Sequence, residues 1–399
     1  MLQPLPDDLP KPLQPIKSAL VVGGCGFLGH HIVHQLLQRH HDAQIHVLDL
    51  RCEKNIISDA RLSYHDGDIT DPAAMAALLN DIKPQAVIHT ASPHFGVTKA
   101  MEELMYKVNV SGTKNLLEKS KECGSVKAFV YTSSASVVMK KVMVMREGGL
   151  RNVDEDWAVA AENEQWEYYG TTKALAEQAV LEANRTATQF FTAAIRPALI
   201  YGEGDIQALP LILQAARRGQ WRFQIGDNSN LFDVTYAGNA AYAHLLAAEA
   251  LLYTHTLGST VPLDLERVDG EAFFVTNDAP VYFWDFCRQA WKAAGIAEST
   301  DKVWVLGQSF SMGLGAFLEG VMWVLGKQAN LTKEKVRFST ISRYYNISKA
   351  KKRLGYRSIV GFEEGIRRAV VEIDERGAGG KVTANAVNGH ANGTGKKAQ

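Results

Sequence analysis

Ala19-Leu20-Val21-Val22-Gly23-Gly24-Cys25-Gly26-Phe27-Leu28-Gly29 is the stretch whose reading sets the fold. Four apolar residues run into a turn that satisfies GxxGxxG from Gly23 and GxGxxG from Gly24; an amphipathic stretch to Arg39 and a second apolar run, Ile45 to Leu48, follow. The order is strand, glycine-rich turn, helix, strand, which is the context the motif requires. A turn without Cβ atoms lets backbone N–H groups and the positive helix end approach a pyrophosphate, and the last glycine permits close helix-to-sheet packing. Gly23, Gly26, Phe27, Leu28 and Gly29 are thus candidate cofactor contacts. Asp49 closes the second strand 20 residues beyond Gly29, about where a carboxylate accepts from the adenosine ribose hydroxyls and repels a 2′-phosphate. NAD is the expected cofactor, while Arg51, two residues on, works in the opposite direction and leaves NADP open.

The rhythm continues outward: Ala86 to His89, a helix from about Met101 to Lys121, Ala128 to Thr132, a helix from about Tyr169 to Ala183, and Phe191 to Arg196. Strands alternating with helices of ten or more residues predict right-handed crossovers and a doubly wound α/β domain with a parallel sheet, a Rossmann fold, over 18–200. After Arg196-Pro197 the alternation loosens, so 201–376 reads as a smaller C-terminal substrate lobe. Residues 1–17, with five prolines in the first 15, read as a flexible leader and 377–399, poor in large apolar residues, as a disordered tail. Asp68-Ile69 follows the third strand, where it either flanks the adenine or caps a helix beginning at Pro72. Thr90-Ala91-Ser92 ends the fourth strand on the rim where open α/β sheets bind ligands, and its small side chains admit a cofactor.

Composition narrows the function. The 399 residues are 46% hydrophobic and 22% charged, which suits a large folded core. Lys plus Arg and Asp plus Glu number 43 each, so no overall field attracts a polyanion and nucleic acid is not an expected partner. Four scattered cysteines, Cys25, Cys52, Cys123 and Cys287, suggest reduced thiols. No secretory signal is read at the N-terminus. His30 and His34 have HxxxH spacing without the HExxH glutamate, so no metal is expected. His94 reads as a loop residue rather than a base.

Tyr169-Gly170-Thr171-Thr172-Lys173 puts a phenol and an ammonium four residues apart, hence on one face of a helix. A free phenol titrates near ~10, so it acts as a base near neutrality only if a neighbouring cation stabilises its anion. Tyr131-Thr132-Ser133-Ser134 ends another strand; Ser134 is the candidate to hydrogen-bond an alcohol or carbonyl oxygen, and Thr132 stands at the cofactor edge.

These residues, with Ile195-Arg196-Pro197, resemble the extended short-chain dehydrogenase/reductases. Val87 to Pro93, Lys107 to Thr113, Thr132 to Val137, Gly226-Asp227-Asn228, Asn277-Asp278 and Arg343 to Ile347 resemble their 3β-hydroxysteroid dehydrogenase branch. Within it the likeness, over about Ser18 to Ala369, is to fungal sterol-4α-carboxylate 3-dehydrogenases (decarboxylating). The resemblance implies catalysis by Ser134, Tyr169 and Lys173, cofactor binding by Gly23, Gly26, Gly29, Asp49 and Asp68, and positioning by Asn109 and Pro197. It further implies NAD-dependent oxidation of a 3β-hydroxyl on a C4-carboxylated sterol or triterpenoid with loss of CO2. A homodimer through helices around 101–121 and 169–184, and association with the cytoplasmic face of the endoplasmic reticulum through 303–326, follow from the same resemblance; a soluble cytoplasmic protein is the alternative.

Val22 stands where many extended members carry Thr, and 138–168 matches less well. That segment lies between Ser134 and Tyr169, so a fungal natural-product triterpenoid is an alternative substrate. A nucleotide-sugar epimerase or dehydratase and a non-catalytic NAD sensor are further alternatives on one fold. The apolar segment 303–326 holds one charge, Glu319, and five glycines; it reads as a helix packed in the second lobe or lying in a membrane interface. Trp157, Trp166, Trp221 and Phe223 either line an apolar pocket or serve packing and surface roles.

Overall fold

The computed structural model describes residues 2–93, 98–146, 148–187, 189–258, 260–296, 303–325, 329 and 331–379. His94 and the tail beyond Gly379 lie outside the described residues. The chain opens with β1 (Ser18–Val22), α1 (Phe27–Arg39), β2 (Gln44–Asp49), β3 (Leu62–Asp66), α2 (Pro72–Ile82) and β4 (Ala86–His89). Next come α3 (Lys99–Met105), a π-helical turn (Tyr106–Gly112) and α4 (Thr113–Glu122), one continuous rod, then β5 (Ala128–Thr132). A short 3₁₀ turn (Ala135–Val138), α5 (Lys141–Arg146) and β6 (Gly149–Val153) lead to α6 (Tyr168–Glu182), β7 (Phe191–Pro197) and β8 (Leu199–Tyr201). The remainder is α7 (Leu209–Arg217), β9 (Phe223–Ile225), β10 (Leu231–Phe232), β11 (Val234–Tyr236), α8 (Ala237–Thr256), β12 (Glu271–Val275), β13 (Val281–Tyr282), α9 (Phe283–Ala293), β14 (Trp304–Leu306), α10 (Gln308–Val324), α11 (Lys333–Thr340), β15 (Ser342–Tyr345) and α12 (Phe362–Gly379).

Seven parallel strands form the main sheet in the order β12-β7-β5-β4-β1-β2-β3. Every residue of β4, β5 and β7 is buried, as expected where helices cover both faces, whereas edge strand β3 keeps partial exposure. Helices α1 and α8 cover one face; α2, α4 and α6 cover the other. Chain order reverses between β1 and β4, so the turns after these two strands flank a crevice at the switch point.

A division at residue 200 does not match the architecture. α8 packs on α1, β5 and β7, and β12 extends the main sheet beside β7, so the chain returns to the first layer after leaving it. The reason is in α8 itself: 17 of its 20 residues are buried, because Ala240-Ala241-Tyr242-Ala243-His244-Leu245-Leu246 offers no polar face to water. The rest forms the smaller layer, with a mixed sheet in the order β13-β10-β15-β6 and a core shared by α7, α9 and α12.

The leader is not loose either. Ile16 is 1% exposed, the Leu5 N–H donates to Gln38 Oε1 (2.8 Å), and Arg39 Nη1 donates to the Pro10 carbonyl (2.8 Å). Prolines cost the unfolded chain entropy in advance, so few contacts suffice to hold such a segment. Of the segment after β14, α10 leans on α11 and buries only Ser311 and Gly315, so it is not a helix packed into the second lobe.

Candidate active site

Gly23 has φ +79°, and a Cβ there would lie 2.7 Å from Ala91 N and 2.9 Å from Thr90 Oγ1. At Gly29 it would lie 2.1 Å from the Gly23 carbonyl, so α1 enters the turn at a distance only glycine allows. Gly26 occupies the N-cap of α1 with no side-chain cap, leaving the first N–H groups of the helix for a ligand. Phe27 and Leu28 begin that helix. Thr90, after β4, donates from Oγ1 to the Val22 carbonyl (2.9 Å) and ties the two sides of the crevice. Asp49 accepts from Cys25 N (3.1 Å) and Leu50 N (2.8 Å), and burial pushes its carboxyl upward against these bonds. Asp68 accepts from Thr70 N (2.8 Å) within its own turn, while the cap of α2 is Asp71, which accepts from Ala73 N and Ala74 N. Ile69 is buried beside Gly112.

On the other side of β1, α6 brings Tyr169 and Lys173 to the ends of β4 and β5. Burial pushes the Tyr169 phenol up to about 12, while Ser92 and Ser134 beside it act in the opposite sense and favour its anion. Ser134 caps the short 3₁₀ turn, receiving Ser136 N (3.2 Å) and Ser136 Oγ (2.9 Å). Lys173 is 2% exposed, donates from Nζ to the Thr132 carbonyl (2.6 Å) and lies 4.6 Å from the centre of the Tyr131 ring. Burial lowers it to about 7, with Glu177 acting in the opposite sense. Asn109, inside the π-helical turn, donates to Thr172 Oγ1 (3.0 Å) and leaves its buried Oδ1 without a partner. A π-bulge often marks a functional position, and here it turns an amide toward the helix that carries Tyr169. Pro197 closes β7 beside β12.

Ser92, a candidate for the cofactor rim, thus also acts on the Tyr169 phenol. The sequence gives no sign of His244: its Nδ1 meets the Ala240 carbonyl of its own helix (2.7 Å), which orients the ring, and its Nε2 meets Thr132 Oγ1 (2.7 Å), so one bond from α8 ties down the strand end that holds Lys173. His89 ends β4, and its Nε2 meets Thr113 Oγ1 (2.9 Å) beneath the same site. Burial, with Lys173 nearby, lowers His244 to about 4 and His89 to about 3; burial comes first in both, and both are neutral at pH 7. Trp166 packs against the core under Arg337, whereas Trp157 and Phe223 are exposed. A cavity of about 330 Å³ lies beside Phe27, His30 and α12, lined by none of Ser134, Tyr169 or Lys173. Among the described residues no group of three or more His, Cys, Asp or Glu is placed to hold a metal ion, and all four cysteines are free.

A glycine cradle at a switch point, with serine, tyrosine and lysine converging on its far side, defines an extended short-chain dehydrogenase/reductase. The model of the 3-beta hydroxysteroid dehydrogenase/isomerase family matches residues 20–306, and the chain belongs to that family. It is 41% identical over 366 residues to sterol-4-alpha-carboxylate 3-dehydrogenase ERG26, decarboxylating, of Saccharomyces cerevisiae, covering 90% of this chain and 99% of the relative. The human sterol-4-alpha-carboxylate 3-dehydrogenase, decarboxylating, is 34% identical, with 89% and 87% covered. Among solved structures, dTDP-glucose 4,6-dehydratase of Bacillus anthracis in complex with NAD is similar in fold, with TM-score 0.64, 18% identity and coverage of 92% and 99%. Among the described residues no helix is long and apolar enough to cross a membrane.

Proposed function

We propose that this protein oxidises the 3β-hydroxyl of a sterol or triterpenoid carrying a carboxyl at C4, with NAD as acceptor, and that the resulting 3-ketone loses CO2. The observation that carries this is the buried Tyr169 phenol beside Ser134 and Ser92, with Lys173 one turn away on the same helix. The substrate class comes from the relatives, whose names specify a sterol-4-carboxylate and decarboxylation.

The residues present fit a dinucleotide. Gly23 and Gly29 form a cradle that a Cβ would fill, the uncapped start of α1 suits a pyrophosphate, and Asp49 suits an unphosphorylated ribose. Thr90, Ala91, Ser92, Asn109, Thr132 and Pro197 are the residues assigned here to the rest of the dinucleotide, with Asp68 and Ile69 assigned to its adenine end. NAD, when bound, supplies the hydride acceptor and a positive ring. Tyr169 takes the hydroxyl proton, Ser134 donates to the substrate oxygen, and the Lys173 ammonium steadies the phenolate. Carboxyl loss needs no further group: the C4–carboxyl bond breaks, CO2 departs, and its electron pair enters the enolate of the adjacent ketone, which then takes a proton.

α10 and its neighbours turn Trp304, Phe310, Phe317 and Trp323 outward, each more than 60% exposed. A lipid surface at the cytoplasmic face of the endoplasmic reticulum suits that face and a sterol substrate alike. α3, α4 and α6 lie together, with Leu104 and Tyr106 exposed, and serve here as the homodimer face. Incubation with NAD and a 4-carboxysterol tests the reading: NADH and CO2 are expected in equal amounts, NADPH formation from NADP is expected to be slower, and no NADH from NAD would overturn it.

A further inference from the structure

Arg343 sits in β15, directly across from Phe232 of β10, and carries a guanidinium without a counter-ion among the described residues. Its Nε and Nη2 are buried and have no hydrogen-bond partner. The charge lies over two aromatic faces, 3.9 Å from the centre of the Phe338 ring and 4.6 Å from that of Phe232. Rings stabilise a cation through their faces but give its N–H groups nothing to donate to. Burying an unpaired charge costs several kcal/mol, so such a group is kept where something binds it. The residue as a whole is half-buried.

Its link to the catalytic helix runs through Glu167. Glu167, the N-cap of α6 two residues before Tyr169, exerts its field on both Arg343 and Tyr169 without reaching ion-pair distance of the guanidinium. Arg337 of α11 lies 5.7 Å from the ring of Trp166, so the helix bearing Phe338 covers the entry to α6. A planar fork with free N–H donors held between two rings matches a carboxylate, which accepts two parallel N–H bonds.

We infer that Arg343 receives the C4 carboxylate of the substrate and sets the preference for acid over uncharged sterols. This rests on the proposed function. The carboxylate supplies the missing acceptor, the rings of Phe232 and Phe338 lie against the sterol carbons, and the 3β-hydroxyl, on the adjacent carbon, is directed to Tyr169 and Ser134. Arg343 discriminates substrates through KM; it moves no proton.

The test compares a 4-carboxysterol with its methyl ester, following NADH from NAD in wild type, R343M and R343K. Both substrates present the same 3β-hydroxyl, so the ratio of kcat/KM isolates the carboxylate. Wild type is expected to prefer the acid by about 10²-fold, the loss typical of unpairing a buried hydrogen-bonded charge. In R343M that ratio should fall toward one, mostly through KM for the acid, and R343K should keep part of it. Should R343M fail to bind NADH, R343K is read alone, where a ratio equal to wild type overturns the assignment. A wild type inert on both substrates overturns the function and this inference with it. A wild type active on the acid whose preference survives in R343M overturns the inference alone.

Discussion

Lys173 is the residue with the sharpest conflict between its surroundings and its role. Fully inside the protein, it is lowered to about 7, whereas in the unfolded chain it holds its proton to about 10.4. Between those values unfolding takes up a proton, so stability rises with pH through that window and the penalty is greatest below about 7. K173M removes the titrating group. Without cofactor, its melting temperature should exceed wild type at pH 6, and the gap should close or reverse by pH 9; a constant gap would refute the depressed lysine. Tyr169 and Lys173 were legible in the sequence because four residues of helix fix their relation covalently. Ser92 beside the phenol and His244 under Thr132 were not, because each meets its partner across a long stretch of chain, 112 residues for Thr132 and His244; Arg343 was not, because one of its two rings, Phe232, comes from a distant strand.

At the scale of elements, the buried face between α1 and α8 organises half of the fold. Glu249 of α8 accepts two bonds from Arg39 of α1, at 2.6 and 3.0 Å, and one from Leu13 N of the leader at 3.2 Å. Removing it strands the Arg39 charge in a nearly closed site. E249A should therefore cost about 3–5 kcal/mol of unfolding free energy and expose the leader to protease. A loss under about 1 kcal/mol in chemical denaturation would show that the three elements are held mainly by apolar packing. The main-sheet strands β1, β2, β4, β5 and β7 and the helices α1, α4 and α6 were legible because apolar runs alternate with amphipathic ones, whereas α5 and β6 were not. α8 and β12 were misplaced because a helix apolar on all sides carries no periodic signal of which layer it joins.

At the scale of the whole molecule, α10 exposes Phe317 (66%) and Trp323 (82%), and Trp304 shortly before it is 71% exposed. A lone aromatic at the surface is ordinary, but a contiguous set is not. Sedimentation with anionic phospholipid vesicles should retain wild-type protein and release the double variant F317D/W323D, while NADH binding stays equal in the two. Equal vesicle binding by both would remove this face from the account. The sequence shows the apolar stretch but not its exposure, because only packing against α11 decides which residues are left outside.

These scales meet in the proton leaving the 3β-hydroxyl, and the most direct measurement follows NADH and CO2 together from a 4-carboxysterol in wild type and Tyr169→Phe. Wild type should release one CO2 for each NADH. Y169F should bind NADH normally while both products fall by about 10²–10⁴-fold, the scale of a lost acid–base group. Near-normal NADH and CO2 from Y169F would contradict the assignment of Tyr169 as the base.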